Sequence, residues 1–218
     1  HSFPTRRSSD LSDRQARVIS LRWLIARERR RGDGGGITII RGVDLPSLEF
    51  SHSNLAEIDL HQLDLGGVFL ASDFKGADIH RSLFRHSSLS GSDFTRANLD
   101  EADFSHANLS SAIMVDVSAV KALFYRTEFE EASFMSANLE AASFSHASFE
   151  YVDFSNAHMS DADFTGAILF GVNFQNADLS GSNFQGATCT AVHWGDATCP
   201  SGSLADPEHG CRECRTKQ

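Results

Sequence analysis

The chain has 218 residues, 17 of them Phe against 2 Trp and 2 Tyr, and its formal net charge is −10. Because phosphates repel carboxylates, this charge excludes direct nucleic-acid binding by the acidic body of the chain. No run of about 18 apolar residues occurs, so the sequence contains no complete transmembrane helix.

The first 36 residues are predicted to lie outside the main fold. Residues 1–11 (HSFPTRRSSDL) resemble translated sequencing-adapter sequence, so we expect the natural N-terminus to be missing. Residues 12–36 are predicted to form a short basic helix, capped by Ser12 and ending near Arg31, and a glycine-rich linker. The apolar and basic side chains of the predicted helix are Val18, Leu21, Leu24, Ile25, Arg27, Arg29, Arg30 and Arg31. Two interpretations stay open: the helix packs over one end of the main fold, or it makes the chain membrane-associated at an anionic surface.

Residues 37–200 carry one repeat. From Phe69 to Phe184 a large apolar residue recurs at every fifth position, with one weak position at Ala119. A period of five is neither the 3.6 of a helix nor the 2 of a strand, so each unit must turn a corner. An earlier block ends at Leu65, only four residues before Phe69, which indicates a register slip near Gly67. Residues 201–218 are predicted to be a cysteine-containing tail or cap.

A second period of twenty residues shows how the units stack. Residues twenty apart form columns of like side chains, so four five-residue faces make one square coil. The two aromatic columns are predicted to be a structural ladder and consist of Phe74, Phe94, Phe134, Phe154, Phe174, Phe84, Phe104, Phe124, Phe144, Phe164 and Phe184.

The units RANLD, EADFS, HANLS, SANLE, DADFT and NADLS resemble the A(D/N)LXX consensus of the pentapeptide-repeat family. The resemblance covers roughly residues 43–200. It implies an all-β fold, a right-handed quadrilateral β-helix of about eight coils, roughly 38 Å long at ~4.8 Å per coil. Some members of the family bind DNA gyrase as mimics of duplex DNA, so gyrase is the partner that the resemblance suggests.

Charge is the main functional clue. Residues 44–200 contain 6 basic and 22 acidic residues, and no Lys or Arg follows Arg126 until Arg212. The net −16 corresponds to one charge per ~2.4 Å of rod, against one per ~1.7 Å of DNA. The candidate interaction surface consists of Glu128, Glu130, Glu131, Glu140, Glu150, Asp153, Asp161 and Asp163. We predict a scaffold that binds a protein partner not identified by the sequence, with gyrase mimicry as the alternative.

One coil departs from the pattern with apolar residues at outward positions. These are Ile113, Val115, Val120, Leu123 and Tyr125, and a smaller pair, Ile168 and Phe170, flanks Leu169. Such residues form either a patch for a partner or a distorted coil around the small Ala119. We predict the distortion.

All four cysteines lie in the last 30 residues. Cys189 and Cys199 fall on core positions, so Cys189 is interpreted as a small buried apolar residue. The T-C-P-x-G turn resembles the C-terminal cap of other pentapeptide-repeat proteins, which implies a disulfide from Cys199 to Cys211 or Cys214. Free thiols remain an alternative, as does zinc held by Cys199, Cys211, Cys214 and His209. A disulfide would favour an exported protein, whereas gyrase binding requires the cytoplasm.

Catalytic chemistry is not indicated. His86, His106 and His146 share one outward column, interrupted by Arg126, which is typical of a solvated surface. The sequence has no P-loop, no HExxH, no nucleophile elbow and no dinucleotide-binding glycines. We predict no concave pocket on a convex rod, and therefore no enzyme activity, cofactor, metal or small-molecule substrate.

Overall fold

The computed structural model describes Leu55, Leu60, Leu65, Gly67 and residues 69–206 and 209–214. The chain winds into a right-handed quadrilateral β-helix, and backbone bridges join the residue before a core position to the residue twenty positions further on, from Asp73 with Asp93 to Asp178 with Thr198. All these bridges are parallel, so the coils from Asp73 onward lie in register on one another. The predicted basic helix, its linker and the start of the repeat array at residue 37 lie outside the described residues.

A turn closes most five-residue units. Around Phe74, the amide of Ala77 donates a hydrogen bond to the Phe74 carbonyl at 2.9 Å, and the intervening Gly76 has a φ of 62°. Among the described residues, nineteen that are not glycine have a positive φ, between 48° and 61°. Because this conformation costs an L-residue roughly 1–2 kcal/mol, the bonds between coils must impose it.

The core is a column of stacked side chains inside the coils. Phe124 and Phe144, twenty residues apart, stack with ring centroids 5.0 Å apart and planes 6° apart. Rings on neighbouring faces meet edge-on, as Phe134 and Phe144 do at 6.1 Å and 87°. Aromatic pairs favour both arrangements. The structure thus buries every member of the two predicted aromatic columns.

One face carries regular strands. They are β1 (Glu128–Glu130), β2 (Ser148–Glu150), β3 (Ile168–Phe170) and β4 (Thr188–Thr190), and they form a parallel sheet in the order β1-β2-β3-β4. In each strand the central residue is buried and the two outer ones are exposed. A 3₁₀ turn, Arg212–Cys214, follows near the end of the chain.

The register slip is visible in the backbone. The amide of Phe74 donates to the carbonyl of Asp93, nineteen residues on, which is the usual offset. The amides of Leu55, Leu60 and Leu65 donate to carbonyls only eighteen residues on, at 2.6–2.7 Å. One residue is therefore missing between Leu65 and Phe69, and the stacking of core side chains continues across the gap.

The predicted distortion around Ala119 is wrong. The amide of Ala119 donates to the Asn138 carbonyl at 2.8 Å, and Ser118 bridges to both neighbouring coils. The backbone stays regular because its bonds to the coils on either side do not depend on the size of the core side chain. Ile113 and Leu123 therefore remain exposed, at 41% and 42%.

Candidate functional site

The acidic residues of the rod fall into two groups with different surroundings. In the N-terminal half, cations of one coil reach carboxylates of the next. The three pairs are Lys75 with Asp93 at 2.8 Å, Arg81 with Glu101 at 2.9 Å, and Arg85 with Asp103 at 2.5 Å. This half of the rod therefore neutralises much of its own charge.

These pairs change the acidity of the carboxyls. Burial alone raises the pKa of Asp103, but hydrogen bonds from Ser105 and Arg85 outweigh it and hold the pKa below its usual value. Arg81 likewise lowers the pKa of Glu101, mainly through its hydrogen bond. Neighbouring side chains of the rod itself thus stabilise these two carboxylates in their charged form.

In the C-terminal half, the aspartates that precede a core residue have local structural partners. The Asp153 carboxylate accepts the backbone N–H of Ser155 at 2.9 Å, and Asp163 accepts that of Thr165 at 3.0 Å. Asp153 also accepts a bond from the Asn173 side chain, one coil further on. Both aspartates are half-buried. Of the predicted interaction surface, these two residues stabilise their own turns.

The other six members of that surface are exposed, and their carboxylates accept no such hydrogen bond from the described residues. No Lys or Arg lies between residues 127 and 211. Within the part of the chain that the structure describes, no ion pair reaches the carboxylates of Glu128, Glu130, Glu131, Glu140, Glu150 or Asp161.

The structure brings four of these glutamates together on the sheet or directly beside it. Glu130 of β1 pairs in register with Glu150 of β2, Glu128 is the first residue of β1, and Glu131 follows β1 directly in the chain. Glu140 and Asp161 belong to other faces of the coil, as do Asp153 and Asp163. The predicted surface is therefore one cluster of four glutamates plus four carboxylates spread around the rod.

The same face becomes apolar towards the C-terminus. Ile168 and Phe170 of β3 are 55% and 39% exposed, and Tyr151 is 57% exposed. The rings of Tyr151 and Phe170 meet edge-on with centroids 5.4 Å apart. Tyr151 lies over Gly171, where an added Cβ would come within 2.6 Å of the ring. We call the outward side chains of β1–β3 together with Tyr151 the strand face.

Sequence reasoning missed Tyr151. The available signal was an aromatic residue at the corner position with a glycine twenty residues later, since neighbouring coils place these two positions in contact. The structure also makes Ile168 and Phe170 part of a larger surface rather than an isolated pair.

The four cysteines form two disulfides over the C-terminal end of the rod. Cys199 pairs with Cys211, with Cα atoms 5.4 Å apart, and Cys189 pairs with Cys214 at 5.7 Å. Cys189 is buried, as predicted, but it is also paired, because the 3₁₀ turn brings Cys214 over the last strand. Cys199 pairs with Cys211 rather than with Cys214.

The four residues of the alternative zinc site do not come together as a set. Cys199 and Cys211 lie within 4.8 Å of Glu213, and neither Cys214 nor His209 belongs to that group. Sulfur atoms joined in a disulfide do not supply the thiolates that zinc requires. The donor set here does not fit a structural zinc site.

The histidine column is a continuous row of rings. His86 and His106 stack at 4.8 Å and 11°, and the Tyr125 ring stands edge-on between His106 and His146 at 5.5 and 5.7 Å. The Arg126 guanidinium lies 5.3 Å from the Tyr125 ring centre. The ring of Tyr125 therefore continues the row at the coil where Arg126 interrupts the histidine column of the sequence.

The expectation of no concave pocket is wrong. A recess of about 410 Å³ lies at the C-terminal end between Trp194 and the tail, lined by His193, Asp196, Asp206 and His209 among others. His209 Nδ1 lies 3.0 Å from the Asp206 carboxylate. No Ser, Thr or Cys is among the described lining residues. The recess arises because the tail folds back over the open end of the rod.

The fold is that of a pentapeptide-repeat protein. The family described as pentapeptide repeats matches residues 77–116, 112–150 and 147–186, and the chain belongs to this family. No curated protein sequence matches the chain. No helix among the described residues is long and apolar enough to cross a membrane.

Three solved structures are similar. HetL, a pentapeptide repeat protein involved in heterocyst differentiation regulation in Nostoc sp. strain PCC 7120, is 23% identical, with 83% of this chain and 97% of HetL covered and a TM-score of 0.43. QnrB1, a plasmid-mediated fluoroquinolone resistance protein, is 19% identical over 76% and 84%, with a TM-score of 0.49. A thylakoid-lumen protein of Arabidopsis thaliana is 27% identical over 57% and 73%, with a TM-score of 0.37.

Proposed function

We propose that this chain is a non-enzymatic, rigid protein-interaction module, and that the acidic C-terminal half of the rod is its docking surface. The observation that supports this is the contrast between the two halves. Lys75, Arg81 and Arg85 neutralise carboxylates in the first half, whereas Glu130 and Glu150 in the second half have no cationic neighbour in the described structure. Unpaired surface charge steers a partner of opposite charge.

The rod is suited to this role because its surface is preorganised. Each described coil from Phe69 onward donates backbone hydrogen bonds to its neighbours, as Phe134 does to Asp153 at 2.7 Å and Leu139 to His158 at 2.7 Å. Side chains on such a surface keep fixed spacings of ~4.8 Å along the axis. Binding to a preformed surface loses little conformational entropy, which favours affinity for a basic partner.

The test is affinity capture from a bacterial extract with matched charge variants. The double variant Glu130→Gln, Glu150→Gln removes two unpaired carboxylates, and the control Glu101→Gln, Asp116→Asn removes the same charge from the first half. We expect the first variant to lose the captured protein and the control to retain it. Equal capture by all three proteins would contradict the proposal, provided that circular dichroism shows all of them folded.

A second candidate is a DNA mimic that binds DNA gyrase: the local charge density favours it, whereas the two disulfides are typical of an oxidising compartment and not of the cytoplasm, where gyrase acts. Residues 127–200 contain 10 acidic residues and no basic ones. They form between three and four coils, or ~18 Å of rod, which gives one charge per ~1.8 Å. Duplex DNA carries one per ~1.7 Å of axis. The half-rod therefore approaches the charge density that a DNA-binding groove accepts.

A gyrase supercoiling assay tests this candidate. The variant should reverse Glu128, Glu130, Glu140 and Glu150 to Lys, because these side chains are exposed and have no structural partners in the described chain. Inhibition by the natural protein that this variant loses would support mimicry. Absence of inhibition by the folded natural protein would exclude gyrase and leave the interaction module as the function.

A further inference from the structure

The strand face combines two kinds of surface within three coils. Its first part is acidic, with Glu130 and Glu150 paired in register on β1 and β2. Its second part is apolar, with Phe170 in edge contact with Tyr151, and both remain exposed. Phe170 follows Glu150 in the same column, because β2 and β3 pair in register. Such a surface fits a segment that carries cations at one end and apolar side chains at the other.

This chain contains a segment with that composition. Residues 12–31 hold seven Arg against two acidic residues, and the apolar residues Val18, Ile19, Leu21, Trp23, Leu24 and Ile25. Four of the seven arginines are concentrated at its C-terminal end, after the apolar residues. The segment lies outside the described residues, and its charge, its composition and the length of the linker support its docking.

We propose that the strand face binds residues 12–31 of the same chain. The arginines lie over Glu128, Glu130 and Glu150, and the apolar side chains cover Tyr151 and Phe170. The proposal rests on the proposed function, since both assign protein docking to the acidic half of the rod. It adds that a basic amphipathic segment is the class of partner that fits, and that one such segment is encoded in the chain.

The linker is long enough for this contact. Leu55 lies five coils below the coil that contains Phe154, a distance of ~24 Å at ~4.8 Å per coil. Even if residues 44–54 continue the repeat array, the twelve residues 32–43 can span up to about 40 Å. If the segment is helical, its ~5.4 Å pitch is close to the coil spacing, so successive turns meet successive strands.

The strand face fits this occupant better than a second copy of the rod. A second rod would bring its own unpaired glutamates against Glu130 and Glu150, and like charges at close range repel. The exposed apolar area is also small for a stable dimer, because three side chains supply it. Charge complementarity is satisfied instead by a segment with a net charge of +5.

Site-specific photocrosslinking in the full chain tests the proposal. Phe170→p-benzoylphenylalanine places the crosslinker on the strand face. Met135→p-benzoylphenylalanine is the matched control, since Phe170 and Met135 are both 39% exposed and lie on different faces. Irradiation followed by proteolysis and mass spectrometry identifies the crosslinked peptide, and mixing isotopically light and heavy protein distinguishes contacts within a chain from those between chains.

We expect position 170, and not 135, to crosslink to residues 12–31 of the same chain. Glu130→Lys with Glu150→Lys should lower the yield about tenfold. Raising NaCl to about 0.5 M, where the Debye length falls to roughly 4 Å, should lower it as well. The double variant Glu130→Gln, Glu150→Gln should also lower the crosslinking yield, and it replaces the lysine variant if the lysines disturb the sheet.

Three outcomes would overturn the proposal: no crosslink from position 170, equal yields from positions 170 and 135, or crosslinks only between light and heavy chains. These results are independent of the affinity capture. If the capture depends on Glu130 and Glu150 but no internal crosslink forms, the docking function stands and the internal occupant is wrong. The reverse result would mean that the face binds only its own segment.

Discussion

Truncating one ring of the aromatic ladder should destabilise the rod strongly. Phe144 is completely buried, and its ring stacks between those of Phe124 and Phe164 at 5.0 and 5.1 Å. It also contacts the Phe154 ring edge-on at 5.8 Å. Phe144→Ala leaves a cavity that the bonded coils above and below cannot close, so we expect a loss of about 3–5 kcal/mol in the free energy of unfolding.

Phe170→Ala is the matched control because it removes the same atoms from a surface position. Phe170 is 39% exposed, and its partners in the neighbouring strands are Glu150 and Thr190 instead of stacked rings. Its truncation should cost about 1–1.5 kcal/mol, since only part of the ring is removed from a buried environment. Chemical denaturation followed by far-UV circular dichroism, with each transition fitted for its midpoint and slope, compares the two variants.

The comparison also tests the continuity of the ladder. If Phe144→Ala costs no more than Phe170→Ala, the internal rings do not act as one packed column, and the reasoning fails. A broadened transition for Phe144→Ala would instead show that the cavity uncouples the coils on either side, because repeat arrays unfold as linked units.

Three further outcomes are expected. Ala141→Gly should leave the stability unchanged or raise it, because Ala141 has a φ of 55°, which glycine adopts without strain. Ala142→Gly should cost about 1.5 kcal/mol, because it removes a buried methyl group. Thermal melts of the two variants measure both effects. The pKa of Asp103 is lowered in the folded protein, so its carboxylate stabilises the fold fully above the unfolded pKa of 3.8, and this stabilisation is lost as the pH falls through the lower folded pKa. In an acid titration, the free energy of unfolding of Asp103→Asn should therefore fall less steeply than that of the unsubstituted protein. Replacing both Cys199 and Cys211 with Ser should lower the stability of the C-terminal end by about 3 kcal/mol, measurable as faster hydrogen exchange there than in the unsubstituted protein, with the central coils unchanged.

The fold could be predicted because one short-range rule repeats along the chain. Each five-residue unit encodes its own turn and core residue, and the columns of like side chains twenty residues apart indicate four units per coil. Even the missing residue between Leu65 and Phe69 was visible as a change of spacing, and the backbone bonds of Leu65 confirm it. For a position inside the repeat array, the side chains it contacts in the neighbouring coils can therefore be predicted from the residues twenty positions before and after it.

The candidate site was less predictable because it depends on details that the repeat does not encode. The pairing of Cys189 with Cys214 requires the path of the tail, which follows no repeat. The prediction of a distorted coil at Ala119 failed for a related reason: side-chain size was assumed to control a backbone that inter-coil hydrogen bonds already fix. Charge counts likewise could not predict which carboxylates accept hydrogen bonds from the backbone of their own turns.

The position of an acid within its unit decides whether it is available to a partner. An aspartate just before the core residue can accept the N–H two positions on, as Asp153 does from Ser155, so its charge already serves the turn. A glutamate just after the core residue, such as Glu130 or Glu150, points outward with no acceptor role in the described structure. Replacing Asp153 with Lys would therefore damage the turn as well as reverse a charge, and a loss of binding could not be assigned to either effect. Variants restricted to the glutamates change the surface charge while leaving the hydrogen bonds of the coil in place, so their binding data report on docking alone.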